Sequence, residues 1–255
     1  VFSGSPVWLA ALLVAVLFFG GGQFGFFSAR RTALNAAESS AFGVVQTTAF
    51  TLLSLLLAFS FSLALSRYDA RRELVTKEAN AIGTAILRAD LLYPEAGTQE
   101  RALLKDYLSE RLAYLSAGDE AEQAAAETRA AALQGRMWAI AAAEVQRGRR
   151  STATPLFVTS LNEAFDISVM QRAAQRAHVP DLIVYILIVL VLIAGTLFGT
   201  TWKTWRSTLL AAVALSVMFG AVFGAVIDLD QPQAGTIRVD LTALTADKDL
   251  FAETK

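Results

Sequence analysis

Four stretches of this sequence are long and apolar enough to cross a bilayer, and they come in two pairs. The first pair covers residues 6–29 and 41–66, the second 182–202 and 207–227. A helix crosses the hydrocarbon core with about 20 apolar residues, and none of the four stretches carries an internal charge. Backbone polar groups in lipid must be satisfied within the segment, so each stretch is expected as a helix. An even number of spans puts both termini and the long segment 67–181 on one side. The chain reads as an all-α membrane protein: transmembrane hairpin 1 (1–66), a helical cytosolic domain (67–181), transmembrane hairpin 2 (182–227) and an extended C-terminal tail (228–255).

Composition agrees, with 55% hydrophobic residues. The formal net charge of −1 argues against nucleic acid as a partner. There is no cysteine, which removes disulfides, thiolate metal sites and cysteine nucleophiles. The first apolar stretch has no basic region ahead of it and is long for a secretory signal, so it reads as a span.

Basic residues near the span ends set orientation. The two short loops, about 30–40 and 203–206, offer Arg30, Arg31, Lys203 and Arg206. The other side offers Arg67, Arg71, Arg72, Lys77, Arg172, Arg176 and Arg238. The excess predicts that the central domain and both termini are cytoplasmic.

The central segment favours helix. From Arg67 to Leu92 there is no proline, and Leu74, Ala81, Ile82, Ala85 and Leu92 recur at helical spacing. The second span therefore runs on as one long helix that Pro94 stops. Thr98 opens the next helix and Gly118 ends it. Asp119 caps a third, with Glu122 at the capping-box position. Residues 147–155 form a loop. Pro155 lies in the first turn of a further helix that ends near His178 and Pro180.

Few residues suggest chemistry. Gly20, Gly22 and Gly25 match a dinucleotide-binding spacing, but that motif needs a strand before it. Inside a span, close helix packing is the better account. His178 is the only histidine and has no partners in sequence for a metal site or triad, so it reads as an interfacial residue. The pairs Glu163/Asp166 and Asp119/Glu122 suit solvated helix faces. Nothing calls for an enzyme or a cofactor.

The second span is more informative. Thr47, Thr51, Ser54, Ala58 and Ser62 fall on one side of a helix, with Leu55 and Phe59 beside them. Small and hydroxylated residues let membrane helices approach closely. The same stripe would also serve as a pore wall if several copies ring an axis, with Thr51, Leu55, Phe59 and Ser62 as a narrow neck that gates by dewetting. Arg67, Asp69, Arg71 and Arg72 follow at once, either to concentrate ions at the mouth or to anchor the span.

The run Arg67-Tyr68-Asp69-Ala70-Arg71-Arg72-Glu73, followed by Glu78-Ala79-Asn80-Ala81-Ile82-Gly83, resembles the bacterial bestrophin-like membrane domain family. The likeness continues in Leu161-Asn162-Glu163-Ala164-Phe165-Asp166 and in Asp228-Leu229-Asp230-Gln231-Pro232 with Gly235. It implies four spans, a helical cytosolic domain and pentamers around a central ion pore. The bestrophin neck would fall near Thr51, Leu55 and Phe59. The paired tryptophans that follow this span in bestrophins are replaced here by Ala70, Arg71 and Arg72. The acidic calcium clasp after the fourth span is represented only by Asp228, Asp230 and the more distant Asp240. Ion selectivity does not carry over.

The expectation is an oligomeric, pentameric ion channel in a bacterial inner membrane, with lipid, further copies of itself and small inorganic ions as partners. Thr51, Leu55, Phe59 and Ser62 form the neck, and Arg67, Asp69 and Arg71 the cytoplasmic mouth. Glu78, Asn80, Asn162 and Asp166 tie the cytosolic helices together. Asp228 and Asp230 are the weak metal candidates. The alternative is a non-conducting accessory subunit of a larger membrane complex. An energy-transducing stator also places a large region between its second and third spans, but it needs a proton-linked polar group in the membrane, and no span here holds a charge. Gly118→Cys tests the orientation: impermeant thiol reagents should leave it unlabelled in intact cells, and labelling from outside would reverse the topology.

Overall fold

The computed structural model describes residues 6–32, 36–147, 152–201, 205–232 and 235–248. These form eight helices: α1 (Val7–Thr32), α2 (Ala36–Ala89), α3 (Pro94–Ser116), α4 (Glu120–Gln146), α5 (Ala153–Arg176), α6 (Asp181–Thr200), α7 (Trp205–Asp230) and α8 (Thr242–Ala246). Among the described residues four helices are long and apolar enough to cross a membrane, and they are α1, α2, α6 and α7. The chain divides into two units. One contains residues 1–68 and 178–237, the other 69–177 and 238–255. The long α2 contributes to both.

In the first unit, glycine brings backbones into contact. A Cβ at Gly195 would lie 2.3 Å from the Phe18 carbonyl oxygen, and one at Gly199 would lie 1.9 Å from that of Gly22. A Cβ at Gly25 would lie 1.9 Å from the carbonyl oxygen of Thr196. These pairs advance in the same sense, so α1 and α6 run parallel at a spacing that only glycine permits. Gly220 meets Ala11, and Gly224 lies near Ala11 and Val7, so α7 runs antiparallel to α1.

Phe18 of α1, Phe50 of α2, Phe198 of α6 and Phe219 of α7 join the four spans. Phe18 and Phe219 have ring centroids 5.2 Å apart, and Phe50 stacks on Phe219 at 5.9 Å. Phe198 lies 6.0 Å from Phe18. Such pairs contribute about 0.5–1.5 kcal/mol each beyond area burial.

The second unit is a helical assembly around Ile82 and Ile86 of α2, Leu104 and Tyr107 of α3, Met137 of α4, Phe157 and Leu161 of α5, and Leu244 of α8. Helix α3 begins at Pro94, not Thr98. Proline suits the first helical position because its missing N–H has no partner to lose there. The Thr98 hydroxyl instead donates to the Pro94 carbonyl at 2.8 Å. Asp119 caps α4 by accepting from the Glu122 N–H at 2.8 Å, and Glu122 accepts from the Gly118 N–H at 3.0 Å. Helix α5 starts at Ala153, two residues before Pro155, and stops at Arg176; α7 continues to Asp230. The segment read as an extended tail contains α8, whose Leu244 is fully buried. Residues 148–151 of the expected loop, and Lys203 of the short loop, lie outside the described residues.

The glycine contacts predict a contrast between two alanine substitutions. Gly199→Ala should cost about 1–3 kcal/mol from overpacking, read as a lower thermal unfolding midpoint in detergent. Gly20→Ala should leave that midpoint unchanged, because among the described residues nothing lies within 4 Å of its Cβ position.

Candidate functional site: the second span and the polar groups around it

Helix α2 divides sharply into faces. Leu53, Leu57, Ser60 and Ala64 are buried in the first unit. Their spacing of three and four residues makes one helical stripe. On the opposite side Leu55 is 49% and Phe59 63% exposed, and Thr51 and Ser62 are exposed too. The Thr51 hydroxyl donates back to the Thr47 carbonyl at 2.9 Å, and Thr47 does the same to Gly43 at 3.0 Å. The hydroxyl hydrogens are thus spent on the helix, and an open groove beside them is lined by Thr47, Phe50, Thr51, Ser54 and Leu55. Thr51, Leu55, Phe59 and Ser62 share one face that the first unit does not cover.

The expected mouth residues separate. Arg67 is half-buried and Asp69 is exposed. Arg71 is 2% exposed, which corrects its expected place at the mouth. Two residues along a helix turn a side chain by about 200°, so Arg71 shares the buried stripe of Val75 and Glu78 and faces away from Asp69. Glu73 is exposed and pairs with Lys77 at 2.7 Å.

A buried polar network joins helices of the second unit, and its members differ from those expected. Glu78 is buried and accepts from Arg111 Nε at 2.5 Å and from Nη2 at 3.3 Å. The same Nη2 donates to Gln171 Oε1 at 3.2 Å, so one guanidinium links α2, α3 and α5. It also lies 4.7 Å over the Tyr114 ring. The Gln134 amide donates to Tyr107 at 3.1 Å and to Ser168 at 3.2 Å, which adds α4. Burial pushes the Glu78 carboxyl above its ordinary value, against the pull of Arg111. Removing one member of such a buried pair typically costs about 3–5 kcal/mol, because the other charge is left uncompensated.

Asn80, Asn162 and Asp166 are exposed and lie outside this network. Asn80 follows Glu78 by two residues and Asn162 follows the buried Leu161, so each is rotated off the buried stripe of its own helix. Sequence reasoning missed Arg111, Gln171 and Tyr107. The available signal was an arginine in register with Leu104, Leu108 and Leu112, on the buried face of α3 that otherwise carries only one charged residue, Glu100.

Asp228 and Asp230 brace the chain after α7. Asp228 accepts from the Thr236 N–H at 2.5 Å and from its hydroxyl at 2.6 Å. Asp230 accepts from the Val179 N–H at 2.8 Å, and its other oxygen is 3.5 Å from His178 Nδ1. His178 Nδ1 also lies 3.1 Å from the Asp230 carbonyl. A Cβ at Gly235 would sit 2.6 Å from two carbonyl oxygens, so the turn needs glycine. Both carboxylates already serve backbone groups, and among the described residues no group of three or more His, Cys, Asp or Glu is placed to hold a metal.

A bestrophin-like domain model matches residues 7–244. Solved structures with the same fold include those of a bacterial bestrophin homologue from Klebsiella pneumoniae. One is 17% identical, with 96% of each chain covered and a TM-score of 0.64. A single-residue variant of it is 19% identical, with 94% of this chain and 95% of the other covered and a TM-score of 0.65. No curated protein matches.

One buried acid in the second unit carries a pH prediction. Glu100 is fully buried, and neither carboxylate oxygen has a hydrogen-bond partner among the described residues. Burial raises its pKa from 4.5 to about 8. The folded chain therefore holds this proton more tightly than the unfolded one. The stability it confers is complete below pH 4.5 and is lost as pH rises through 8. Asp247, raised by burial to about 6, adds the same trend at lower pH. The unfolding midpoint, followed by circular dichroism, should fall between pH 6 and pH 8.5 on the order expected for a shift of this size. Glu100→Gln should flatten that fall; an unchanged slope would show that Glu100 does not titrate in this range.

Proposed function

The chain belongs to the bestrophin-like domain family, and from that premise we propose that copies of it assemble as a ring, pentameric as in bestrophins, and conduct ions across a bacterial inner membrane. The axis of the ring is lined by α2, and the second unit and both termini lie in the cytoplasm.

The observation that carries this reading is the split of α2 into a packed and an unpacked face. A leucine and a phenylalanine one turn apart, 49% and 63% exposed, stand beside Thr51 and Ser62 on the face without a partner in the first unit. In a ring they become stacked collars of apolar side chains, which gate water and ions by dewetting instead of binding them. Thr51 and Ser62 bound the neck, and the back-bonded Thr51 hydroxyl leaves its lone pairs to a passing hydrated ion. Asp69, and Arg67 where it is exposed, stand at the cytoplasmic mouth. The buried Glu78–Arg111 pair holds the cytosolic helices of each subunit rigid.

Planar-bilayer recording tests the proposal. The purified oligomer should conduct, and Phe59→Ala should raise or leak the conductance by widening the narrowest collar, while Leu53→Ala on the packed face should not. Correctly assembled wild-type and Phe59→Ala proteins that are both silent would contradict it. A monomer, or a stable complex with unrelated subunits, would favour an accessory role.

A further inference from the structure

Apolar collars do not distinguish a cation from an anion. Leu55 and Phe59 gate by dewetting and hold no ion, so the choice of sign falls to the polar groups on the same face of α2. With α2 as the pore wall, the reading on which this inference rests, that face has a definite sign.

An anion is held by hydrogen-bond donors and a cation by lone pairs. Three threonines of the second span have no donor to offer. The Thr47 hydroxyl donates to the Gly43 carbonyl at 3.0 Å, Thr48 to Val44 at 3.1 Å and Thr51 to Thr47 at 2.9 Å. Only oxygen lone pairs are left for a passing ion, and Thr47 and Thr51 line the open groove. The Ser54 and Ser62 hydroxyls can rotate to suit either sign.

Fixed charge follows the same line of the helix. Each residue turns the helix by about 100°. Asp69 and Glu73, like Thr51 and Leu55, therefore lie within about 20° of Ser62. The arginines are turned away from it: Arg67 by about 140°, Arg71 by about 180° and Arg72 by about 80°. Arg71 is buried, and the charge of Arg72 acts on Asp240. Glu73 is already paired with Lys77 at 2.7 Å. Asp69 is exposed and makes no ion pair among the described residues. It is the uncompensated charge on this line.

We propose that Asp69 is a specificity-determining residue of the conduction path and selects small inorganic cations over anions. Each copy in the ring contributes one carboxylate, and rings of aspartate or glutamate are the device of cation-conducting pores. Asp69 follows Ser62 by about 10 Å along the helix, one Debye length at about 0.1 M salt. Its field reaches the neck in dilute salt and is screened at about 1 M, where that length is near 3 Å. The threonine lone pairs act at contact and add a preference of the same sign.

The test is the reversal potential of the purified oligomer in planar bilayers under a potassium chloride gradient. At low salt potassium should be favoured over chloride by roughly tenfold, the lower end of the enrichment that charge-lined clefts produce. The preference should shrink as salt rises. Asp69→Asn, at an exposed position, should lower the ratio several-fold at low salt, and Asp69→Glu should keep it. Glu120→Gln, the same loss of charge at an exposed site on α4, should leave the ratio at the wild-type value. A wild-type preference for chloride, or a ratio unchanged in Asp69→Asn, would overturn the assignment while leaving conduction intact. A silent wild-type oligomer would remove the conduction reading and this assignment with it.

Discussion

One helix with two unlike faces organises this protein. In the membrane unit α2 buries Leu53, Leu57, Ser60 and Ala64. In the second unit it buries Val75, Glu78, Ile82 and Ile86. Both stripes follow the same three-and-four spacing, so the helix keeps a packed side in each unit. The side bearing Thr51, Leu55 and Phe59 has no such role. A phenylalanine and a leucine on an unpacked membrane face gain nothing from avoiding water when lipid surrounds them. In the proposed ring, their placement beside hydroxyl-bearing residues makes that face the wall of the opening.

The two units solve different physical problems. Within the bilayer, apolar side chains offer no hydrophobic advantage over lipid, so association relies on close contact. The α1–α6 pair does this through Gly195, Gly199 and Gly25, where carbonyl oxygens occupy the space of a missing methyl. The four phenylalanines then fill the volume between the spans. In the second unit apolar burial drives packing, and the cost of placing Arg111 in that interior is offset by Glu78, Gln171 and the Tyr114 ring. Such a network fixes the relation of three helices more specifically than leucine contacts alone.

Much of the architecture was legible in the sequence because its signals are long. Four charge-free stretches and a proline-free run after the second one define the spans and the long α2. The start of α3 was misplaced because Pro94 acts as a beginning and not only as a stop. The helix α8 was missed because five residues carry too little periodicity to register. At the candidate site, Thr51, Leu55, Phe59 and Ser62 do share an exposed face, as helical spacing required. Arg71 does not join Asp69, since a motif read as a string hides a rotation of about 200° between them. Asn80, Asn162 and Asp166 sit in the most recognisable runs yet face outward. The buried partners, Arg111 and Gln171, come from helices far apart in sequence, and no local pattern links them.

Imaging the purified particle at a resolution that separates helices tests the central claim most directly. The account predicts a ring of identical chains around an axial opening, with the Leu55 and Phe59 face of α2 forming its wall. A particle in which that face lies against lipid or a neighbouring helix, with no opening on any symmetry axis, would contradict it.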